Sequence, residues 1–285
     1  MMKQRGIALV QVLLIVAVVS ILALYFTQSA RQQVKNATMM IDKAQALVEL
    51  NNAEASILFS LLTEKLTPMA TPPVNNPLIT SWNFHGEPFK TTNNVEVQLQ
   101  DLRGLLNIHY PEETRLKRLL TYSGLNDYDA QLAVLQIMAW QSLDTHSDYI
   151  KNDVIARNAA IHDIEELSHL GLQPAQLKVL ANNTTQYKKG AFNPMNSPDT
   201  LLYALLSEDV AEYVIMQRRA NRLTVNDFVR ATGISESGDI ILYPSNLFKI
   251  TLTVKVGEAV VTKTTYYHLQ PTKDPVVNKL AVKAR

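Results

Sequence analysis

Residue types that do chemistry are present in this chain, but their spacing does not assemble a reaction centre. His162, Glu165, Glu166 and His169 are placed so that 162, 166 and 169 fall on roughly one face of a helix, as metal ligands would. The spacing matches no zinc box, however, and a helix cap with exposed polar residues accounts for it. Ser, His and Asp all occur without a G-x-S-x-G elbow to tie a serine to a base. None of the 9 glycines falls in a G-x-x-x-x-G-K-[ST] or G-x-G-x-x-G phosphate loop. Cysteine is absent, which excludes disulfides and thiolate metal sites and fits either redox compartment. The sequence therefore yields no catalytic residue, no metal ligand set and no cofactor, and it reads as a non-enzyme.

A nucleic-acid role is disfavoured on charge. The net charge is +1 over 285 residues, too little for a general field that attracts phosphates. Leu167 to Ala181 and Leu223 to Ile234 have the look of helix-hairpin-helix turns, but Glu165, Glu166 and Asp227 lie alongside. Phosphate binding needs positive charge to release counterions, so these read as structural hairpins. Trp82, Trp140 and Tyr203 read as core or interface residues.

The elements that position everything else begin at the N-terminus. Ile7 to Phe26 is uncharged, and its strongly polar residues are Gln11 and Ser20. At ~1.5 Å per residue the run crosses the ~30 Å hydrocarbon layer. Lys3 and Arg5 precede it and assign that end to the cytoplasm. Three readings are open. A cleaved secretory signal has a shorter apolar core and a small-residue site; Ala23-Leu24-Tyr25 is a poor match, and Thr27-Gln28-Ser29 follows too long a run. A plain signal anchor is the second. The third, which the next segment favours, is that Arg5-Gly6 before Ile7 resembles a type IV prepilin leader, cut after Gly6 by a dedicated peptidase that leaves the helix in place.

Helical patterning continues past the membrane length, with no Gly or Pro between Thr27 and Leu66. Apolar residues recur at Val34, Ala37, Ile41, Ala44, Val48, Ala55, Leu58, Leu62 and Leu66. A helix of about sixty residues is ~90 Å long, a rod suited to packing on neighbouring rods below and under its own sheet above. Proline-rich residues 67–90 read as loop with a short strand near Leu78 to Phe84. Val95 to Leu99 alternate as a strand, and Asp101-Leu102-Arg103-Gly104 turns into Leu105 to Ile108 as a hairpin. From Pro111 to about residue 234 the pattern is helical: Arg115–Ser123, Asp127–Asp144, Ile164–His169, Pro174–Asn182, Pro198–Leu206, Glu208–Asn221 and Val225–Thr232. Phe248 to Val256 alternate again, Gly257-Glu258 turns, and Ala259 to Leu269 returns. Pro271 to Arg285 reads as a short, basic, loose tail. The expected fold class is α+β. Residues 1–6 are expected to be a leader, 7–66 a long helix spanning the membrane at 7–26, 67–110 and 235–285 an α+β core with an antiparallel sheet, and 111–234 an inserted helical domain.

In this order the features resemble the general secretion pathway protein K family, a minor pseudopilin of type II secretion. The matching residues are Gln4-Arg5-Gly6-Ile7-Ala8-Leu9, Asp101 to Asn107, and Phe192-Asn193-Pro194-Met195-Asn196-Ser197-Pro198-Asp199-Thr200-Leu201-Leu202. The resemblance covers nearly the whole chain. It implies a pilin-like fold, leader cleavage between Gly6 and Ile7, and N-methylation of Ile7. It also implies a periplasmic head on a single inner-membrane pass. The implied partners are the other minor pseudopilins, the major pseudopilin and the prepilin peptidase, with the minor ones docking along the Val34 to Leu66 face. Major pilins and most pseudopilins carry Glu at the fifth mature residue, which the protein K family typically lacks; this chain has Gln11 there. A carboxylate in lipid must be paired, and a subunit at the tip has no neighbour above it; the alternative is a neutral substitution. The family also has a calcium site in an acidic loop. Here Asp144, Asp148 and Asp153 are interspersed with Lys151 and Arg157, a thin set for an ion that takes roughly six to eight oxygens. A solvated acidic loop is preferred, and no metal is assigned. A minor pilin of a type IV pilus and a signal-anchored periplasmic enzyme are the rival readings.

Overall fold

The computed structural model describes residues 5–66, 77–92, 94–142, 156–187 and 190–284. Its first element is a single helix, α1 (Arg5–Thr63). With neither Gly nor Pro in the run beyond Gly6, nothing interrupts the backbone ladder. A short helix α2 (Pro77–Ser81) follows, then strands β1 (Phe89–Thr92) and β2 (Val95–Asp101). After β3 (Leu106–Asn107) come α3 (Glu113–Tyr122), α4 (Asp127–Gln141), a 3-10 helix at Ile164–Leu170, α5 (Pro174–Asn183) and β4 (Thr184–Thr185). Helices α6 (Asp199–Leu205), α7 (Glu208–Arg219) and α8 (Val225–Thr232) lead back to β5 (Leu247–Val256), β6 (Ala259–Leu269) and β7 (Val277–Ala284).

Two cores result. In the first, an antiparallel sheet of order β1-β2-β5-β6-β7 lays one face on the upper half of α1. Val95, Val97 and Leu99 alternate inward with Phe248, Ile250, Leu252 and Val254, and meet Ala46, Leu50, Ile57 and Leu61 of α1. Each fully buried large aliphatic contributes about 1.5–3 kcal/mol. Trp82 joins this core and packs on Phe84 at 5.3 Å between centroids. The opposite sheet face is polar, with hydroxyl pairs Thr251–Thr264 at 2.9 Å and Thr253–Thr262 at 3.2 Å. The second core belongs to the helices: Leu116, Leu119, Leu120, Val134, Ile137, Trp140, Leu180, Leu201, Leu202, Val214 and Phe228 are buried together. Local caps set its helix starts. Glu112 accepts from the amides of Thr114 and Arg115, Asn126 from Asp129, and Thr224 from Asp227.

Four expectations need correction. Leu78 to Phe84 is not a strand; Pro77 opens a helix there, since its fixed φ and missing N–H suit a first helical position. Asp101 to Ile108 is not a hairpin. The Asp101 carboxylate accepts from the Arg103 amide at 3.0 Å and caps a 3-10 turn, Leu102–Gly104, which takes the chain off the sheet. Strand β3 then pairs in parallel with β4, Leu106 opposite Thr184. The C-terminal segment is not loose: β7 closes the sheet by backbone pairing with β6 from Lys263–Ala284 to Leu269–Val277. It buries little side chain, so no hydrophobic alternation announces it. Finally, Ile164–Leu170 is a 3-10 helix, begun by a reciprocal cap between Asp163 and Glu166.

Candidate assembly surface

Helix α1 presents different faces at different heights. Its lower part, from Leu9, is long and apolar enough to cross a membrane, with a mean hydropathy of 2.8 and none of that window buried against the rest of the chain. Tyr25 and Phe26 stand at the end of the apolar run, their rings edge-to-face at 6.2 Å. Tyr25, an apolar ring with a polar hydroxyl, suits this depth, where hydrocarbon gives way to headgroups. Gly6 and Ile7 lie in the first helical turns, and Gln11 is exposed on the helix surface.

Above the span the apolar positions divide between two stripes. The one under the sheet is Ala46, Leu50, Ala53, Ile57 and Leu61. At about 100° per residue, Val34, Ile41, Val48 and Phe59 fall about 180° from that stripe. They are 67%, 66%, 58% and 67% exposed. The repeat from Val34 to Leu66 is thus a composite: Val34 to Ala55 face outward, while Leu58, Leu62 and Leu66 are partly buried toward the sheet. Beside the outer stripe, a groove of about 880 Å³ runs between α1 and the β1–β2 edge, lined by Asn52, Ser56, Phe59, Leu78, Thr91 and Val95. An apolar stripe of this length on a solvated helix marks an interaction surface.

A buried charge fixes which stripe faces the sheet. Glu54 is 6% exposed and receives Lys263 Nζ at 2.8 Å and the Tyr267 hydroxyl at 2.5 Å. Lys279 lies 3.8 Å away. Burial pushes the carboxyl up, but the hydrogen bonds from Lys263 and Tyr267 and both ammonium charges outweigh it, so it sits below the ordinary carboxylate value. Rotating or sliding α1 would strand this charge in a low-dielectric layer. Asp42 approaches the β5–β6 turn so closely that a Cβ on Gly257 would lie 2.2 Å from its Oδ2. Sequence reading passed over Glu54, although a lone carboxylate flanked by Leu50, Ile57, Leu58 and Leu61 at helical spacing is a signal.

The two internal motifs, Asp101–Asn107 and Phe192–Leu202, lie against one another. The fully buried Asp101 carboxylate accepts from Asn196 Nδ2 at 2.8 Å, from the Ser245 hydroxyl at 2.5 Å and from the Ser245 amide at 3.2 Å. Burial nevertheless pushes its carboxyl up. Gln100 Nε2 donates to the Asn196 carbonyl at 2.8 Å, and Ser197 Oγ to the Gly104 carbonyl at 2.9 Å. A Cβ on Gly104 would meet the Asn196 carbonyl oxygen at 2.1 Å, so only glycine fits. Buried Arg218 donates to the carbonyls of Met195 and Ser197 and to Asp199. This clasp ties sheet to helices.

The polar residues with metal-like spacing are otherwise occupied. Glu166 accepts from the amides of His162 and Asp163, each at 3.2 Å, and from Arg157 at 2.7 Å. His169 stacks on Trp140 at 6.0 Å. The helix begins only at Ile164, behind the Asp163 cap, so His162 lies outside it and shares no helical face with 166 and 169. Among the described residues no group of three or more His, Asp or Glu is placed to hold a metal ion. Asp144, Asp148 and Asp153 lie outside the described residues.

No family model matches the sequence, and no curated protein matches it. Among solved structures, the chain is similar to one in the GspK-GspI-GspJ complex from the type 2 secretion system of enterotoxigenic Escherichia coli. The TM-score is 0.57 with 16% identity, covering 90% of this chain and 99% of that one. The likeness is one of architecture, and it establishes that this chain has a pilin-like α+β fold in which a long N-terminal helix packs on an antiparallel sheet carrying a helical insertion.

Proposed function

We propose that the chain is a minor pseudopilin of type II secretion, in the general secretion pathway protein K family, and not an enzyme. Prepilin peptidase removes residues 1–6 by cutting between Gly6 and Ile7, and Ile7 is N-methylated. Residues 7–66 form a continuous rod, an anchor that spans the inner membrane at 7–26 and a stalk beyond it. A periplasmic core of 67–110 and 235–285 carries the inserted module of 111–234. The subunit nucleates and caps the pseudopilus tip that drives folded proteins through the outer membrane, and Gln11 suits a position with no subunit above. The partners are the other minor pseudopilins and the major one, docked along the outer stripe of α1.

The observation that carries this reading is the pair of opposed apolar faces on α1. One face is satisfied by the chain's own sheet, while Val34, Ile41, Val48 and Phe59 are left exposed. The similar fold in a GspK-GspI-GspJ complex supports partners of the same kind. Mass spectrometry of the mature chain should find methylated Ile7 at the N-terminus, and pull-down should recover the candidate minor pseudopilins. Gly6→Leu should leave the leader in place and abolish recovery. An intact Met1 on the wild-type chain, or assembly indifferent to Gly6→Leu, would overturn the assignment.

A further inference from the structure

A cleft of about 250 Å³ lies between the polar face of the sheet and the helical module, lined among others by His85, Gln98, Gln100, Asn182, Lys249 and Thr251. Its distinguishing member is Lys249 on β5. Most of that side chain is buried, and among the described residues no carboxylate stands within ion-pair distance of its ammonium. The other charges around the cleft are balanced. Arg218 and Arg219 are set against Asp199 and Glu87, and Lys283 against Asp163 at 3.7 Å. Burial, aided by the Lys283 charge, holds the Lys249 ammonium below the usual lysine range.

The neutral groups of the wall sort into used and unused. Gln100 Nε2 is spent on the carbonyls of Phe84, Asp101 and Asn196. The Thr251 hydroxyl pairs with Thr264 at 2.9 Å. Burial together with Arg218 and Arg219 holds His85 neutral, so its ring adds no second charge. The side-chain amides of Gln98 and Asn182 make no hydrogen bond with described residues, which leaves two primary amides beside one uncompensated cation. A desolvated ammonium without a counter-ion is unfavourable, and a carboxylate gives it a charge-assisted bond.

We infer that this cleft is a binding site for a single carboxylate, held by Lys249 with the amides of Gln98 and Asn182. One unbalanced cation matches a monoanion better than a phosphate group, which carries about −1.5 to −2. The cleft is smaller than a drug-sized site, so its occupant is a short free acid or the tip of an Asp or Glu side chain from a partner subunit.

Acetate is the probe. The full chain in detergent micelles is melted in sodium acetate and in sodium chloride at equal ionic strength. At acetate about tenfold above its Kd, the midpoint should rise by about 3 °C. Lys249→Met should remove that rise. Asn182→Ala, an exposed site that leaves the fold intact, should weaken acetate about fivefold and serves if the Lys249 variant does not fold. Equal response of wild type and both variants overturns the inference. The chain assembled with candidate minor pseudopilins then separates the sources. Loss of the acetate effect identifies a partner's carboxylate in the cleft, and its persistence identifies a free acid. The isolated-chain melt stands or falls independently of whether the chain assembles.

Discussion

Replacing Glu54 by Gln preserves shape and removes one buried charge from the contact between α1 and its sheet. At 2.8 Å and an effective dielectric of ~20, the Coulomb attraction to Lys263 is about 6 kcal/mol. Desolvation of the two ions offsets most of it. What remains is close to the worth of charge-assisted hydrogen bonds, about 1.5–3 kcal/mol each. Gln keeps one acceptor for Lys263 or Tyr267, so the expected loss is about 2–3 kcal/mol, or about 5–10 °C in Tm. The chain has 2 tryptophans, and each core holds one: Trp82 under the sheet and Trp140 among the helices. In a Trp140→Phe background the urea transition of Trp82 fluorescence reports the sheet core alone. Glu54→Gln should shift that transition, and in a Lys263→Met background it should shift it less by at least about 1 kcal/mol. The folded-state carboxyl of Glu54 lies below its ordinary value of 4.5. Its stabilisation is therefore present above the unfolded pKa and is lost as pH falls through the folded one. The gap between wild type and Glu54→Gln should accordingly close in acid below about pH 4.5. A shift under about 0.5 kcal/mol at pH 7, the scale of an exposed pair, would refute the claim that Glu54 sets the rotation of α1.

Gly104→Ala places a methyl 2.1 Å from the Asn196 carbonyl oxygen; the clasp must open, and a loss of about 3 kcal/mol or more is expected in chemical denaturation. Arg218→Met strands the carbonyls of Met195 and Ser197 and should destabilise the helical core by about 3 kcal/mol, read by Trp140 fluorescence. Val48→Arg alters the outer stripe alone, so the urea midpoint should move by less than about 0.5 kcal/mol, while pull-down of minor pseudopilins is lost. Retained pull-down would place the partner surface elsewhere on the chain.

Much of the fold is legible because its signals are local. The helix from Arg5 runs to Thr63 since nothing in that stretch breaks it, and β5 and β6 follow from faultless alternation with Gly257 at their turn. Thr224, just ahead of the helix expected from Val225, caps that helix in space as well. The segments that misled share a different property. Asp101 to Ile108 has the composition of a hairpin, but a buried carboxylate takes its turn elsewhere. Strand β7 exists because β6 offers it backbone partners, and no residue pattern encodes that.

The sequence by itself determined a rod, a membrane-length apolar run with positive charge before it, a sheet and a block of helices, because periodicity, capping and composition act over a few residues. Only the tertiary structure decided which side of the rod faces inward and that two motifs ninety residues apart form one clasp. It alone put a lysine with no ion-pair partner among the described residues into the cleft between sheet and helices. Those outcomes depend on the free energy of burying a particular charge or carbonyl against a distant partner, Glu54 on Lys263 and Asp101 on Asn196 and Ser245. Such partners are identified by packing in three dimensions and leave no mark on local spacing.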